Sequence, residues 1–240
     1  MIKQKICLCI TLTFFLCFAQ SQNTKNKFDE NGKRHGYWSK NYPGKDLLRY
    51  SGNFHHGKEI DTFKYYTIEN DKSVLSAIKI FNKNDDVAKV IYMTSAGNII
   101  SEGLMDGKKH IGKWIYYHKN SKIKMIEEYY NKEGLLEGVK SIFYNNGNKA
   151  ERAIYKNGKL NGESIWYSID NNITRISNYK DGELHGKTTY YDKFKHKTDE
   201  GVYNNGKKSG VWTYYKSGKI YKKINHNDNE VIFSSNQKKR

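Results

Sequence analysis

YKNGKLNGESIWY (155–167), YKDGELHGKTTYY (179–191) and YNNGKKSGVWTYY (203–215) are three copies of one pattern. In each, an Asn-Gly or Asp-Gly pair is followed four residues later by a second glycine, which opens a run closed by two aromatic residues. Asn-Gly and Asp-Gly are strong hairpin signals, because a type I′ turn needs φ > 0 at both central positions. The glycine heading each run points to a further left-handed or closely approached backbone position.

Outward from these copies, the run recurs as GYWSKN (36–41), DTFKYY (61–66) and GKWIYY (112–117). With one inserted residue it recurs as DVAKVIY (86–92) and GVKSIFY (138–144). The eight runs start at 36, 61, 86, 112, 138, 162, 186 and 210, a period of 24–26 residues. Self-similarity that regular marks a repeat architecture. Turn pairs precede other runs at Asn31-Gly32, His56-Gly57 and Asp106-Gly107, and second turns follow at Ala96-Gly97, Asn146-Gly147 and Ser217-Gly218. Strand-like stretches such as NIISEGL (98–104), KMIEEYY (124–130) and KAERAIY (149–155) come next. Each unit is therefore strand, turn, strand, turn. Pro43 is the only proline, which suits an unbroken ladder.

These signals predict an all-β fold: an elongated single-layer antiparallel β-sheet of about eight stacked hairpin repeats. At ~4.8 Å per strand, such a sheet would be on the order of 75 Å long. Residues 28–225 form the repeat domain, 20–27 a linker and 226–240 a polar cap and loose tail. In WTYY (212–215), alternation sends Trp212 and Tyr214 to one face, Thr213 and Tyr215 to the other. Three departures stand out. Asp61 and Asp86 replace the heading glycine, segment 79–104 lacks an upstream Asn-Gly, and the turn in DKFKHKTDE (192–200) has no glycine. Irregular units are expected there, and loops with function tend to sit at such places.

The pattern G-x3-G-x-W-x-Y-Y, followed by a turn and a strand ending in Tyr-x-Asn-Gly, resembles the bacterial variant of the MORN repeat (membrane occupation and recognition nexus) over roughly residues 28–224. The resemblance implies an open, single-layered hairpin sheet. It also implies a role as an antitoxin-like component or a scaffold, with no signature residue to carry across.

The N-terminus reads as an export signal. Lys3 and Lys5 precede an apolar run from Ile6 to Phe18, and small residues before a cut after Ala19 complete a secretory signal peptide over 1–19. The run is too short for a transmembrane helix. A lipid anchor at Cys17 would want small residues in front of it, where Phe15 and Leu16 stand. Cys7, Cys9 and Cys17 are the only cysteines and all fall in this segment, so the exported chain has no disulfide or thiolate chemistry. An exported periplasmic, cell-surface or secreted location is expected, with no transmembrane segment after cleavage.

Catalytic signatures are not found. The sequence has no P-loop, G-x-S-x-G or G-x-G-x-x-G, and the glycines are accounted for by turns. Glu127 and Glu128 are consecutive and would point apart on a strand. Among the eight histidines, His35 and His185 are six repeats apart, and adjacent His55 and His56 would face opposite sides of a strand. Each reads as a solvated or turn-capping group, so neither a metal nor another cofactor is expected, and the chain is not read as an enzyme.

The aromatic columns carry the candidate binding surface: Trp38, Tyr66, Trp114, Tyr117, Tyr167, Tyr191, Trp212 and Tyr215. They admit two readings, a stripe for sugars or extended peptides or the stacking core. The leading function is a non-catalytic scaffold that binds a protein partner or an envelope polymer. An antitoxin or immunity protein comes next, implied by the resemblance. A peripheral anionic-lipid module is third, suggested by the net charge of +17, which becomes +15 without Lys3 and Lys5. Nucleic acid ranks last, because export removes the usual substrate.

Overall fold

The computed structural model describes residues 25–81 and 85–235. The expected signal peptide (1–19), residues 20–24 of the linker and residues 236–240 of the tail lie outside the described residues.

The chain forms one open sheet of 18 strands in which each strand pairs antiparallel with the next. After β1 (Lys27–Phe28), the repeats follow as hairpins. The first four are β2 (Arg34–Asn41) with β3 (Leu48–His55), β4 (Lys58–Glu69) with β5 (Lys72–Phe81), β6 (Val87–Met93) with β7 (Ile99–Asp106), and β8 (Lys109–Tyr117) with β9 (Lys124–Tyr130). The last four are β10 (Gly138–Phe143) with β11 (Lys149–Lys156), β12 (Lys159–Tyr167) with β13 (Ile173–Lys180), β14 (Glu183–Tyr191) with β15 (Lys197–Asn204), and β16 (Lys207–Lys216) with β17 (Lys219–Asn225). The eight units match the eight sequence repeats. Residues 230–234, expected in a loose tail, instead form β18 (Glu230–Ser234), which pairs with β17.

The turns follow their chemistry. His56-Gly57, Asn157-Gly158, Asp181-Gly182 and Asn205-Gly206 all carry positive φ at both residues, the type I′ geometry that matches strand twist. Asp106-Gly107 departs from that expectation. Asp106 pairs with Lys109, so the loop residues are Gly107 and Lys108, and only the first has positive φ. A leading glycine is the type II′ solution. The glycine-free turn at 192–196 is regular after all. Lys195 takes φ 69°, and Asp192 Oδ1 accepts the backbone N–H of Phe194 and of His196 at 2.8 and 2.9 Å. The Asx carboxylate supplies locally what glycine supplies elsewhere.

At most unit heads the register shifts where the left-handed residue sits, as in β7/β8 and β15/β16. Asp61 adopts this conformation in place of glycine, with φ 56°. Asp86 does not, and β5 pairs with β6 without a bulge. Across from the heading glycine on the next strand stands a large ring: Phe54 opposite Gly36, Tyr130 opposite Gly112, Tyr155 opposite Gly138, Tyr179 opposite Gly162 and Tyr203 opposite Gly186. Such glycines leave backbone that an aromatic neighbour covers.

Two residues further along each strand runs the row that forms the core. It is built from size-matched pairs between one unit's return strand and the next unit's first strand. Where the return strand has Gly52, Gly103 or Gly201, the partner is Phe63, Trp114 or Trp212, each fully buried. Where it has Ala153 or Ser177, the partner is Ser164 or Thr188. Between these sits a polar version: Glu128, 5% exposed, paired with Lys140 at 3.0 Å. Each tryptophan also satisfies a backbone carbonyl released by the bulge, Trp114 Nε1 donating to Leu104 O at 2.8 Å and Trp212 Nε1 to Val202 O at 3.1 Å. A cation or imidazole four residues before the indole covers it. His110 stacks on Trp114 at 3.7 Å, and Lys208 Nζ stands 4.0 Å from the Trp212 ring. Among the described residues only eight apolar side chains are buried, and with a single layer the sheet's own rings must provide the cover.

Candidate functional site

The two faces differ in chemistry. One carries Lys89–Glu102, Lys113–Glu127 and Lys187–Glu200 pairs at 3.0 to 3.3 Å, exposed enough that each is worth little stability. The other is aromatic, and in units five to seven its core row becomes small and polar. There Ala153, Ser164, Ser177 and Thr188 form a floor in register across β11 to β14. Tyr155, Tyr179 and Tyr203 lie along one side of it, set opposite the heading glycines.

Along the other side, register places Glu151 against Trp166, Trp166 against Arg175, Arg175 against Tyr190, Tyr190 against Asp199, and Asp199 against Tyr214. Rings and charges of both signs therefore alternate at the strand spacing. The Arg175 guanidinium stands 4.7 Å from the Trp166 ring, a cation–π contact, and Trp166 remains 39% exposed. Ser164 Oγ donates to Glu151 Oε1 at 3.1 Å. Ser177 Oγ, Thr188 Oγ1 and Arg175 Nε are buried with no hydrogen-bond partner among the described residues. Burial pushes the Tyr155, Tyr179 and Tyr203 phenols up, so at neutral pH they are uncharged rings with an O–H to offer. A neutral platform beside alternating charges can hold an extended chain through stacking and hydrogen bonds.

The eight residues read from the sequence do not form one stripe. Trp114 and Trp212 are fully buried and belong to the core. Trp38 is half-buried on the same face, its Nε1 donating to Lys27 O at 2.9 Å. The tyrosines fall on the charged face. Tyr117 donates to Glu102 at 2.7 Å and Tyr215 to Glu200, and that bond holds the Glu200 carboxyl down at about 2. Tyr66 and Tyr167, there with Tyr191, also lend backbone carbonyls to Tyr42 and Tyr144 hydroxyls at 2.6 and 2.8 Å.

Trp166, Arg175 and the Tyr155, Tyr179 and Tyr203 row are what sequence reasoning passed over. A signal was present: units six and seven have Leu160 and Leu184 four residues before Ser164 and Thr188, where units four and eight have His110 and Lys208 before tryptophan.

The histidines also differ from expectation. His56 occupies a turn with φ 48° rather than a strand, so its ring meets that of His55 at 4.4 Å instead of facing away. His118 Nε2 lies 3.0 Å from Phe143 O, and His226 Nε2 lies 2.9 Å from the Tyr214 hydroxyl. Among the described residues, no helix is long and apolar enough to cross a membrane. Comparison with protein-family models and with characterised proteins returns no match.

Proposed function

We propose that this protein is an exported, non-catalytic binding scaffold that takes a protein partner or an envelope polymer on the aromatic face of units five to seven. One observation carries the reading: in a face whose other core indoles are covered, Trp166 stands 39% exposed against Arg175, beside a floor of buried hydroxyls. Exposed aromatic and arginine side chains backed by rigid strands are the usual anchors of recognition surfaces. Sheet periodicity supports an extended ligand, since equivalent positions recur every two strands, about 9–10 Å apart.

The test is capture from the cell envelope by the exported chain, washed at high salt and repeated with Trp166→Ala. Retention of one protein or one polymer, lost in the variant while circular dichroism is unchanged, is the expected result. Recovery of anionic lipid alone, released by salt, would instead make the basic charge the functional feature. Capture indifferent to Trp166→Ala would move the site elsewhere.

A further inference from the structure

Apart from the aromatic face, one cluster gathers donors that the sequence places far apart. The turn between β1 and β2 and the turn between β3 and β4 lie side by side, joined by a 2.8 Å hydrogen bond from Gly57 N to Arg34 O. Gly36 pairs with Phe54, which sets His35 beside His55 on neighbouring strands with ring centroids 5.3 Å apart. The His56 ring, swung in by the left-handed turn, lies 4.9 Å from His35. Asp29, from the first turn, meets His56 with Oδ2 at 2.7 Å from Nδ1.

We propose that Asp29, His35 and His56, with His55 as a fourth donor, bind one divalent ion of the zinc class. Ligand atoms of the first three all lie within 4.8 Å of one another. Around a tetrahedral zinc with bonds of about 2.0–2.2 Å, donor atoms sit about 3.3 Å apart. Closing the cluster therefore takes side-chain rotation, with the backbone already in place. The second shell is built as well. Asp29 Oδ1 accepts the backbone N–H of Asn31 at 2.9 Å and of Lys33 at 2.8 Å, which fixes the carboxylate and leaves Oδ2 aimed at the imidazole. The Asp29 side chain is only 6% exposed while that of His56 is 51% exposed, which gives an anchored ligand and an open approach.

The donor set selects the ion. Imidazole nitrogens with one carboxylate suit zinc, nickel and copper, whereas calcium and magnesium want oxygen. The bound ion would tie the first turn to the third across β2, fixing the two-residue β1 at the N-terminal edge of the sheet. Terminal units of repeat arrays need capping, and a metal clip is one way to supply it.

The full chain, with Cys7, Cys9 and Cys17 alkylated, is titrated with Zn(II) by calorimetry, and with Co(II) followed by its visible absorption. One equivalent should bind at micromolar or tighter affinity, raise the unfolding temperature and give a low-coordinate cobalt spectrum. His35→Gln and His56→Gln should each weaken binding by about tenfold or more, the scale set by losing even second-shell partners. Asp29→Asn, which keeps an oxygen for the two turn amides, should weaken binding without lowering the metal-free unfolding temperature. His185→Gln, at the equivalent position six repeats away, should leave binding unchanged. No saturable zinc binding, binding that survives His35→Gln and His56→Gln, or a preference for calcium or magnesium would overturn the proposal.

Discussion

Units four and eight and units six and seven solve the same packing problem in opposite ways. In the former, a tryptophan lies over a glycine so closely that a β-carbon on Gly103 or Gly201 would stand 2.3 Å from the indole. In the latter, serine or threonine faces alanine or serine, and Ser177 and Thr188 keep hydroxyls without a partner among the described residues. The first arrangement puts most of its apolar burial into one ring and satisfies the indole N–H on a freed carbonyl. The second leaves Trp166 open at the surface beside buried polar atoms that include Arg175 Nε, a costly arrangement for stability alone. A repeat protein can tolerate this because each unit depends mainly on its neighbours. On the proposed reading, stability would rest mainly on the tryptophan units, and the less tightly filled units would carry the binding surface.

The contrast can be broken by mutation, and the largest effect should come from the ring. Trp212→Ala should destabilise by about 3–5 kcal/mol, as expected for a fully buried indole, whereas Thr188→Ala should cost about 1 kcal/mol or less. Denaturant unfolding measures both, and equal losses would contradict the division. Next, Gly201→Ala should cost about 1–3 kcal/mol, the range for overpacking. Pairing Gly201→Ser with Trp212→Thr, which copies unit seven, should show a favourable coupling between the two changes in a double-mutant cycle.

Thr188→Val keeps the shape and removes the unpaired hydroxyl. It should be neutral or stabilising by up to about 1 kcal/mol and should weaken capture of the partner. A stability loss without a binding change would make the hydroxyl structural.

The smallest effect lies on the charged face and appears only with pH. Glu200 is held at about 2 by the Tyr215 hydroxyl first and then by Lys197 and Lys187, against an ordinary 4.5. A carboxyl depressed by folding contributes stability above its unfolded value and loses it as pH falls through the folded one. Tyr215, pushed up to about 12 by the same bond, contributes below 10 and loses that contribution as pH rises through 12. Tyr215→Phe should therefore cost about 1 kcal/mol at neutral pH, and the deficit should shrink in acid between about 4.5 and 2. A deficit independent of pH would mean that packing, not the hydrogen bond, is what was lost.

Much of this was legible in the chain. The 24–26-residue period, the I′ turns and the alternation that divides Trp212 from Tyr215 are local properties, and the eight hairpins stand where they indicate. The candidate surface was legible only in part, since a column of aromatic residues in an alignment of repeats mixes two faces. Tyr117 and Trp114 are three residues apart and lie on opposite sides of the sheet.

By itself, then, the sequence determined the eight hairpins, their order and the chemistry each repeat carries, because hairpin turns and period-two patterning act over a few residues. Only the tertiary structure decided which tryptophans are buried, which one is open, and that Asp29, His35, His55 and His56 meet at one corner. Those outcomes depend on register and bulges between neighbouring strands, where a single left-handed residue such as His56 or Asp61 re-aims a side chain. Pairwise geometry of that kind is set by packing across strands and leaves no periodic trace along the chain.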